Sequence, residues 1–398
     1  MHHHIVILGG GFGGIRTARS LAAYNIPNTT ITLISNKTYF EYYPALYRIV
    51  TGASPIEVCV SLNDLLPKNV GVIEATITEI DLEGKKILIG DNAPVLFDSL
   101  VIALGSETSY FNLPGVDTLS LGFKSVKEAL RLKEHLGSLF DAHKHPSPAE
   151  MVAHFHVVIV GGGPSGVEVA GDLAVYLRKL ALAHKIDPSL ITIDLIEGAS
   201  RILPTLPEDV SIKVTQKLRS LGINLFLNRF LMSEDIENVY MKDMQMQSKT
   251  VIWTAGTRLN TLLTNTKGFG FSKRKRVVVD AHLRPEGFSN VYVIGDAAET
   301  TFSGLAQTAL NDGNFVAEVI NADLRKQSLP TYKPKSVAYG IPVGENWAAF
   351  VIGGFRTYGY VAYLIRHLID FIFFASMLPP NTLWRMYTDG YKYRDKKV

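Results

Sequence analysis

Two glycine runs, Gly9-x-Gly11-x-x-Gly14 and Gly161-x-Gly163-x-x-Gly166, carry the most explicit chemistry in this sequence. Each follows a short apolar run, over 5–8 and 157–160, and each opens a helical pattern. At this spacing the first glycine permits a tight turn. The second lets the backbone approach a pyrophosphate, and the third lets helix and strand pack closely. The helix N-terminus, entered through Pro164 and Ser165 in the second run, offers free N–H groups and a positive dipole end to the anion. The strand predicted over 191–196 ends in Glu197. That carboxylate can accept both ribose hydroxyls of an adenosine and repels a 2′-phosphate. The matching strand of the first run, over 31–34, ends in Ser35-Asn36-Lys37, with no acid. Ser35 and Asn36 can still hydrogen-bond a ribose, more weakly. The pattern is a duplicated dinucleotide-binding unit.

Other candidate groups sit at strand and helix ends. The strand over 100–104 includes Ala103 and runs into Gly105-Ser106, where a glycine allows close approach to a ligand. The strand over 250–253 ends in Thr254-Ala255-Gly256 in the same way. A strand over 290–294 leads into Gly295-Asp296, whose carboxylate can accept a hydroxyl hydrogen bond. A helix over 304–321 places Gln307 and Asn311 one turn apart on one face. The aromatic stretch 39–52 either covers a ring system or packs the core. The only cysteine, Cys59, lies in an apolar run without a basic neighbour. It reads as a core residue, and a single cysteine excludes any dithiol mechanism. The N-terminal histidines precede a strand expected from Ile5, so no signal peptide is visible, and they have no fourth partner to argue for a metal.

These groups need elements to hold them. A chain of 398 residues, 47% hydrophobic and 19% charged, is globular and large enough for two domains or more. A net charge of +3 is too small to argue for nucleic acid. Segments 76–80 and 86–89 alternate as an antiparallel meander, 125–139 reads as a helix, and 143–148 as a polar linker. A helix over 208–221 stops at Gly222. Residues 272–276 form a basic run that reads as a solvated turn, with contact with anionic lipid as the alternative, followed by a strand over 277–280. The expected fold is α/β, with two Rossmann-like domains and the second inserted in the first. The boundaries are 1–113 with 277–330, then 114–276, then a tail over 331–398. Within the tail, 357–378 is about as long as a membrane span, but Arg366, His367 and Asp370 interrupt it. The three fall within a ~100° arc, so an amphipathic helix lying in a membrane interface is expected. Trp384, Tyr387, Tyr391 and Tyr393 beside Arg385, Lys392, Arg394, Lys396 and Lys397 suit a headgroup layer. The competing uses of the tail are a helical cap or a dimer contact.

Nearly the whole chain resembles the type II NADH dehydrogenases, single-subunit NADH:quinone oxidoreductases with two dinucleotide-binding domains in the manner of glutathione reductase. The resemblance rests on GGGFGG at 9–14, PALYRIVTG at 44–52, VIALGSETSYFNLPG at 101–115 and VVIVGGGPSGVEVAGDLA at 157–174. VIWTAGTRLN at 251–260, IGDAAE at 294–299 and LAQTALN at 305–311 complete it. It implies FAD in the first domain, held by Gly9, Gly11, Phe12, Gly13, Gly14, Ser35, Asn36, Lys37, Pro44, Ile77, Ala103, Gly105, Ala306 and Gln307. Asp296 would take the ribityl chain. It implies NADH in the second domain, held by Gly161, Gly163, Pro164, Ser165, Gly166, Glu197, Ala255 and Gly256. Glu168 would sit where the nicotinamide meets the flavin, either as a dipole-stabilised helix-start carboxylate or as a group that tunes the flavin or relays a proton. Gln307 and Asn311 would line the quinone site, the asparagine standing where the family has a second glutamine, and Lys335 would approach the quinone head. The implied activity is FAD-dependent oxidation of NADH with two-electron reduction of a membrane quinone, without proton pumping. The implied location is peripheral, on the cytoplasmic face of the cell membrane, and a homodimer is left open. The rival readings are a soluble reductase of a ferredoxin-like protein or of oxygen, against which the aromatic tail argues, and a non-catalytic NADH- and flavin-binding sensor. A sulfide:quinone reductase lacks its cysteine pair here.

Overall fold

Strand His3–Leu8 ends in Ile5, Val6, Ile7 and Leu8, all fully buried. A run apolar on both faces belongs in the middle of a parallel sheet. In this computed structural model, which describes residues 2–90, 92–141, 151 and 153–395, it lies there. The first sheet runs Val291–Val293, Ser99–Ile102, His3–Leu8, Thr29–Ser35, Val70–Glu74, all parallel. The second repeats the order around its own fingerprint strand: Leu121–Gly122, Thr250–Trp253, His156–Val160, Thr192–Glu197, Ile223–Leu227. The internal repeat is therefore structural as well as sequential.

The first strand starts at His3 rather than at Ile5. The His4 imidazole bonds the Thr32 hydroxyl at 2.8 Å and the His3 imidazole bonds the Ser99 hydroxyl at 2.9 Å, so both rings belong to the sheet. No strand forms over 277–280. Val277 and Val279 make only isolated bridges, because Asp280 turns the chain by accepting from the N–H groups of His282 and Arg284. The meander pairs as expected, Ile77–Asp81 with Lys86–Ile89. The expected linker over 143–148 and the tail lysines Lys396 and Lys397 lie outside the described residues.

Packing divides the chain into two compact units. The first comprises Met1–Glu41, Cys59–Glu107 and Thr257–Val337. The second comprises Tyr42–Val58, Thr108–Gly256 and Ala338–Val398. In the second unit the tail begins with an antiparallel sheet, Ala338–Pro342, Ala348–Ile352 and Phe355–Gly359. This strand takes residues 357–359, which the sequence pattern assigns to a helix. The helix starts at Tyr360, after Gly359 turns the chain at φ +83°, and runs to Met377. Pro379 separates it from a last helix, Pro380–Lys392.

Candidate functional site

Both glycine runs form cradles at the carboxyl ends of the central strands. Helix Phe12–Tyr24 begins at Gly11 and helix Pro164–Ala183 at Gly163. Neither start has a capping side chain or an acid in its first turn. The leading N–H groups are thus left for a ligand. A Cβ placed on Gly14 would collide with the Gly9 carbonyl, and one on Gly166 with the Gly161 carbonyl. A Cβ on Gly11 or Gly163 would meet nothing within 4 Å of the protein and would fill the cradle instead. The residues present therefore fit a dinucleotide pyrophosphate at each cradle.

The ribose ends of the cradles differ. Glu197 accepts from the Gly162 N–H at 2.6 Å and from the Ala199 N–H at 2.7 Å, with lone pairs remaining for hydroxyls. Arg201, a nearby candidate for a 2′-phosphate, donates instead to the carbonyls of Leu203, Pro204 and Leu206. In the first unit the matching place beside Gly10 is taken by buried Ser35, which accepts from the Lys37 N–H at 3.2 Å. Asn36 is exposed, and Lys37 pairs with buried Glu41 at 2.7 Å. Cys59 is half-buried rather than core. Burial and Glu41 push its thiol up to about 12, outweighing Lys37.

Ala103, Gly105 and Asp296 gather at the same sheet end of the first unit. Ala103 abuts Gly9, and the Ser106 hydroxyl donates to Asp296 at 2.7 Å. Phe12 packs edge-on to Phe40 at 4.9 Å, and Gly13 faces Ile294 and Ala309. Ile77 lies on the antiparallel sheet, half-buried, and Pro44 belongs to the second unit. Gln307 and Asn311 are half-buried on helix Ala306–Leu324, which also begins with Ala306. Lys335 is exposed. On the same helix, fully buried Asp312 accepts from the Gly295 N–H at 3.0 Å and from the Tyr332 hydroxyl at 2.6 Å. It fixes the turn that presents Asp296, and nothing in its local sequence marks it. In the second unit Ala255 abuts Gly161, Pro164 and Ser165 are exposed at the helix start, and Gly256 is exposed at the strand end.

Glu168 lies one turn into its helix, in a cluster of buried charge. Asp370 accepts from the Tyr42 hydroxyl at 2.5 Å, from Arg48 at 2.6 Å and from Arg366. Arg48 also donates to the Tyr47 hydroxyl at 3.1 Å, and Arg366 to the Pro44 carbonyl at 2.7 Å. Burial alone would raise the Asp370 pKa, but Arg366 and Arg48 hold it below the usual carboxylate range. Burial pushes Glu168 up to about 8 despite Arg366 and Arg48, and its neighbour Asp172 up to about 7 despite Arg48 and the Gly344 N–H. Burial and the adjoining Arg48 lower His367 to about 4.

The same cluster turns the tail helix round. Arg366 and Asp370 are 5% and 2% exposed, facing into the second unit. Val361, Leu364, Leu368, Phe371 and Ile372 are between 46% and 60% exposed on the opposite side. Simple patterning would put the charged arc in water. Here the arc finds its counter-ions inside, on the segment from Tyr42 to Arg48, and the apolar stripe faces out.

The profile of the pyridine nucleotide-disulphide oxidoreductases matches residues 3–313. A type II NADH:quinone oxidoreductase, Ndh, of Mycobacterium tuberculosis is 30% identical over 96% of this chain and 87% of its own length. Demethylphylloquinone reductase NdbB of Synechocystis is 30% identical over 92% of this chain and 90% of its own. Among solved structures, an NDH2 of Plasmodium falciparum in complex with NADH superposes with a TM-score of 0.88 at 21% identity, covering 98% of each chain. With two open dinucleotide cradles and a relative 30% identical over 96% of this chain's length, the chain belongs to the pyridine nucleotide-disulphide oxidoreductases and, within them, to the type II NADH:quinone oxidoreductases.

Proposed function

We propose that this protein oxidises NADH and delivers two electrons to a quinone, without pumping protons, using FAD in the first unit and NADH in the second. The pair of unobstructed glycine cradles, of which only the second ends in a ribose carboxylate, carries the reading. Bound FAD supplies the chemistry, accepting a hydride and returning two electrons. The chain's residues bind, orient and balance charge. The helix N-termini at Gly11 and Gly163 take the pyrophosphates, Glu197 takes the adenosine ribose of NADH, and Asp296 takes a flavin hydroxyl. Gln307 and Asn311 offer amide donors to a quinone oxygen, with Lys335 as a further cation at that end. Flavin-loaded protein is expected to oxidise NADH beyond one equivalent per flavin only when a soluble quinone is supplied. Quinone-independent oxidation at the same rate overturns the reading in favour of a soluble reductase.

The outward apolar stripe of the tail helix supports peripheral contact with the cytoplasmic leaflet. Trp384 and Tyr391, 72% and 75% exposed on the last helix, suit the headgroup layer, and Lys392 adds charge. Arg394 is committed elsewhere, bidentate on Glu57 at 2.7 Å. Full-length protein is expected to sediment with anionic vesicles as a monomer or as a dimer that leaves the stripe open. Dimerisation that abolishes sedimentation assigns the stripe to a second copy instead.

A further inference from the structure

We propose that the ring of Phe230 is the platform for the base of an adenosine at the second cradle, and that position 198 is glycine so that the ring can lie there. The inference rests on the ribose role proposed above for Glu197. It adds the surface that holds the base. Every residue it uses belongs to the second unit.

The ring is exposed, yet its main chain is fixed. Phe230 is 67% exposed and stands just past strand Ile223–Leu227. Two backbone bonds tie this stretch to the loop that carries the ribose carboxylate. The Asn228 N–H donates to the Ala199 carbonyl at 3.0 Å, and the Arg229 N–H donates to the Glu197 carbonyl at 3.0 Å. On the other side of Phe230, buried Leu231 opens the strand Leu231–Glu234. The Arg229 side chain is engaged by Asp243 at 3.2 Å. The ring is thus held against the loop after Glu197, with most of its surface in water.

Gly198 marks where the ring sits. A Cβ there would lie 2.3 Å from the Phe230 ring. The backbone itself does not call for glycine, since Gly198 is not among the residues with positive φ. The ring, and not the turn, excludes a larger side chain. An adenosine supplies the missing cover. Its base is bonded to C1′ of the same ribose whose adjoining hydroxyls Glu197 accepts, so the base lies beside the loop that follows Glu197. That loop has little else to offer a base. Ala199 and Ser200 are small, Arg201 is committed to three carbonyls, and Ile202 and Leu203 are buried. Within 198–203 and 228–231, Phe230 is the one aromatic ring. A ring stacks on the π-face of a base whatever hydrogen bonds the base edge makes, so this contact adds affinity for the adenosine half and none for the nicotinamide half.

Calorimetric titration of the flavin-loaded full-length protein with ADP-ribose tests the platform without turnover. This probe has the adenosine and the pyrophosphate but no nicotinamide. Phe230→Ala is expected to weaken its binding about tenfold, the loss of one base–ring stack, and Phe230→Trp to restore it. Gly198→Ala keeps the phenylalanine but displaces its ring, and should weaken ADP-ribose by a similar factor. Reduced nicotinamide mononucleotide, which lacks the adenosine, is the control. Its Kd, read from bleaching of the flavin, should be the same in the parent and in Phe230→Ala. Unchanged ADP-ribose affinity in Phe230→Ala or in Gly198→Ala overturns the platform, as does a parent protein that binds no ADP-ribose. Equal weakening of the mononucleotide also overturns it and leaves the ring a packing role in the loop. A parent that binds ADP-ribose through Phe230 but passes no electrons to quinone overturns the functional reading and leaves the platform standing.

Discussion

Glu197 has two roles that can be separated. Its carboxylate satisfies the Gly162 and Ala199 N–H groups, and the role proposed for it gives its remaining lone pairs to a ribose. Glu197→Ala should lower the preference for NADH over NADPH by about 5- to 150-fold in kcat/KM, the equivalent of about 1–3 kcal/mol, since a repulsive charge and a ribose acceptor go together. A drop in thermal stability with an unchanged preference ratio would confine Glu197 to the turn. Glu168 yields a pH-dependent prediction. Its folded pKa of about 8 lies above the ordinary 4.5, so between those values the folded chain holds a proton that the unfolded chain has lost. Stability contributed by this group falls as pH rises through that window. Glu168→Gln removes the dependence, so its Tm relative to the parent should climb from about pH 5 to about pH 8. A Tm difference that does not vary with pH would show Glu168 ionised in the folded protein throughout. Residues such as Glu197 were legible because the strand–turn–helix rule is local. Arg48 and Asp370 were not, because they meet across 322 positions, and Asp312 was hidden among ordinary helix residues.

The tail helix shows where pattern reading stops. Its length, its apolar stripe and its terminating prolines follow from periodicity, and the structure has the helix from Tyr360 to Met377. Its orientation does not follow, because a charged arc ordinarily seeks water. Tyr42, Arg48 and the Pro44 carbonyl reverse that preference by supplying partners for Asp370 and Arg366 inside the unit. Gly340 completes the fit, for a Cβ there would sit 2.6 Å from the Arg366 side chain. The stripe of Leu368 and Phe371 is left outward, 55% and 46% exposed. Replacing both by Asp leaves the buried cluster intact and puts two charges where lipid is proposed. Vesicle sedimentation should fall at least tenfold, about 1.4 kcal/mol or more, while Tm moves little. Unchanged sedimentation would transfer membrane binding to the last helix with Trp384 and Tyr391.

The duplication of one α/β unit divides the labour of the chain. Each unit has the same strand order and the same cradle, yet only the second has an acid at its ribose position, and only the first has the Asp296 turn and the helix with Gln307. Mutations should therefore separate the two half-reactions. Gly163 is the sharper probe, because its φ of −73° suits any residue and a Cβ there touches nothing in the protein. Gly163→Val should fold normally and block flavin reduction by NADH, while photoreduced flavin still passes electrons to quinone. Gly166→Ala is the contrasting case, since its Cβ would collide with the Gly161 carbonyl and should cost stability rather than selective chemistry. Gln307→Ala should do the reverse of Gly163→Val, slowing reoxidation by quinone about 5- to 150-fold for a lost hydrogen bond of about 1–3 kcal/mol and leaving reduction by NADH nearly unchanged. Stopped-flow measurement of each half-reaction in both variants decides the matter. If Gln307→Ala slows reduction by NADH instead, the helix that carries it serves the donor, and the roles proposed for Gln307 and Asn311 must be exchanged for positioning of the nicotinamide.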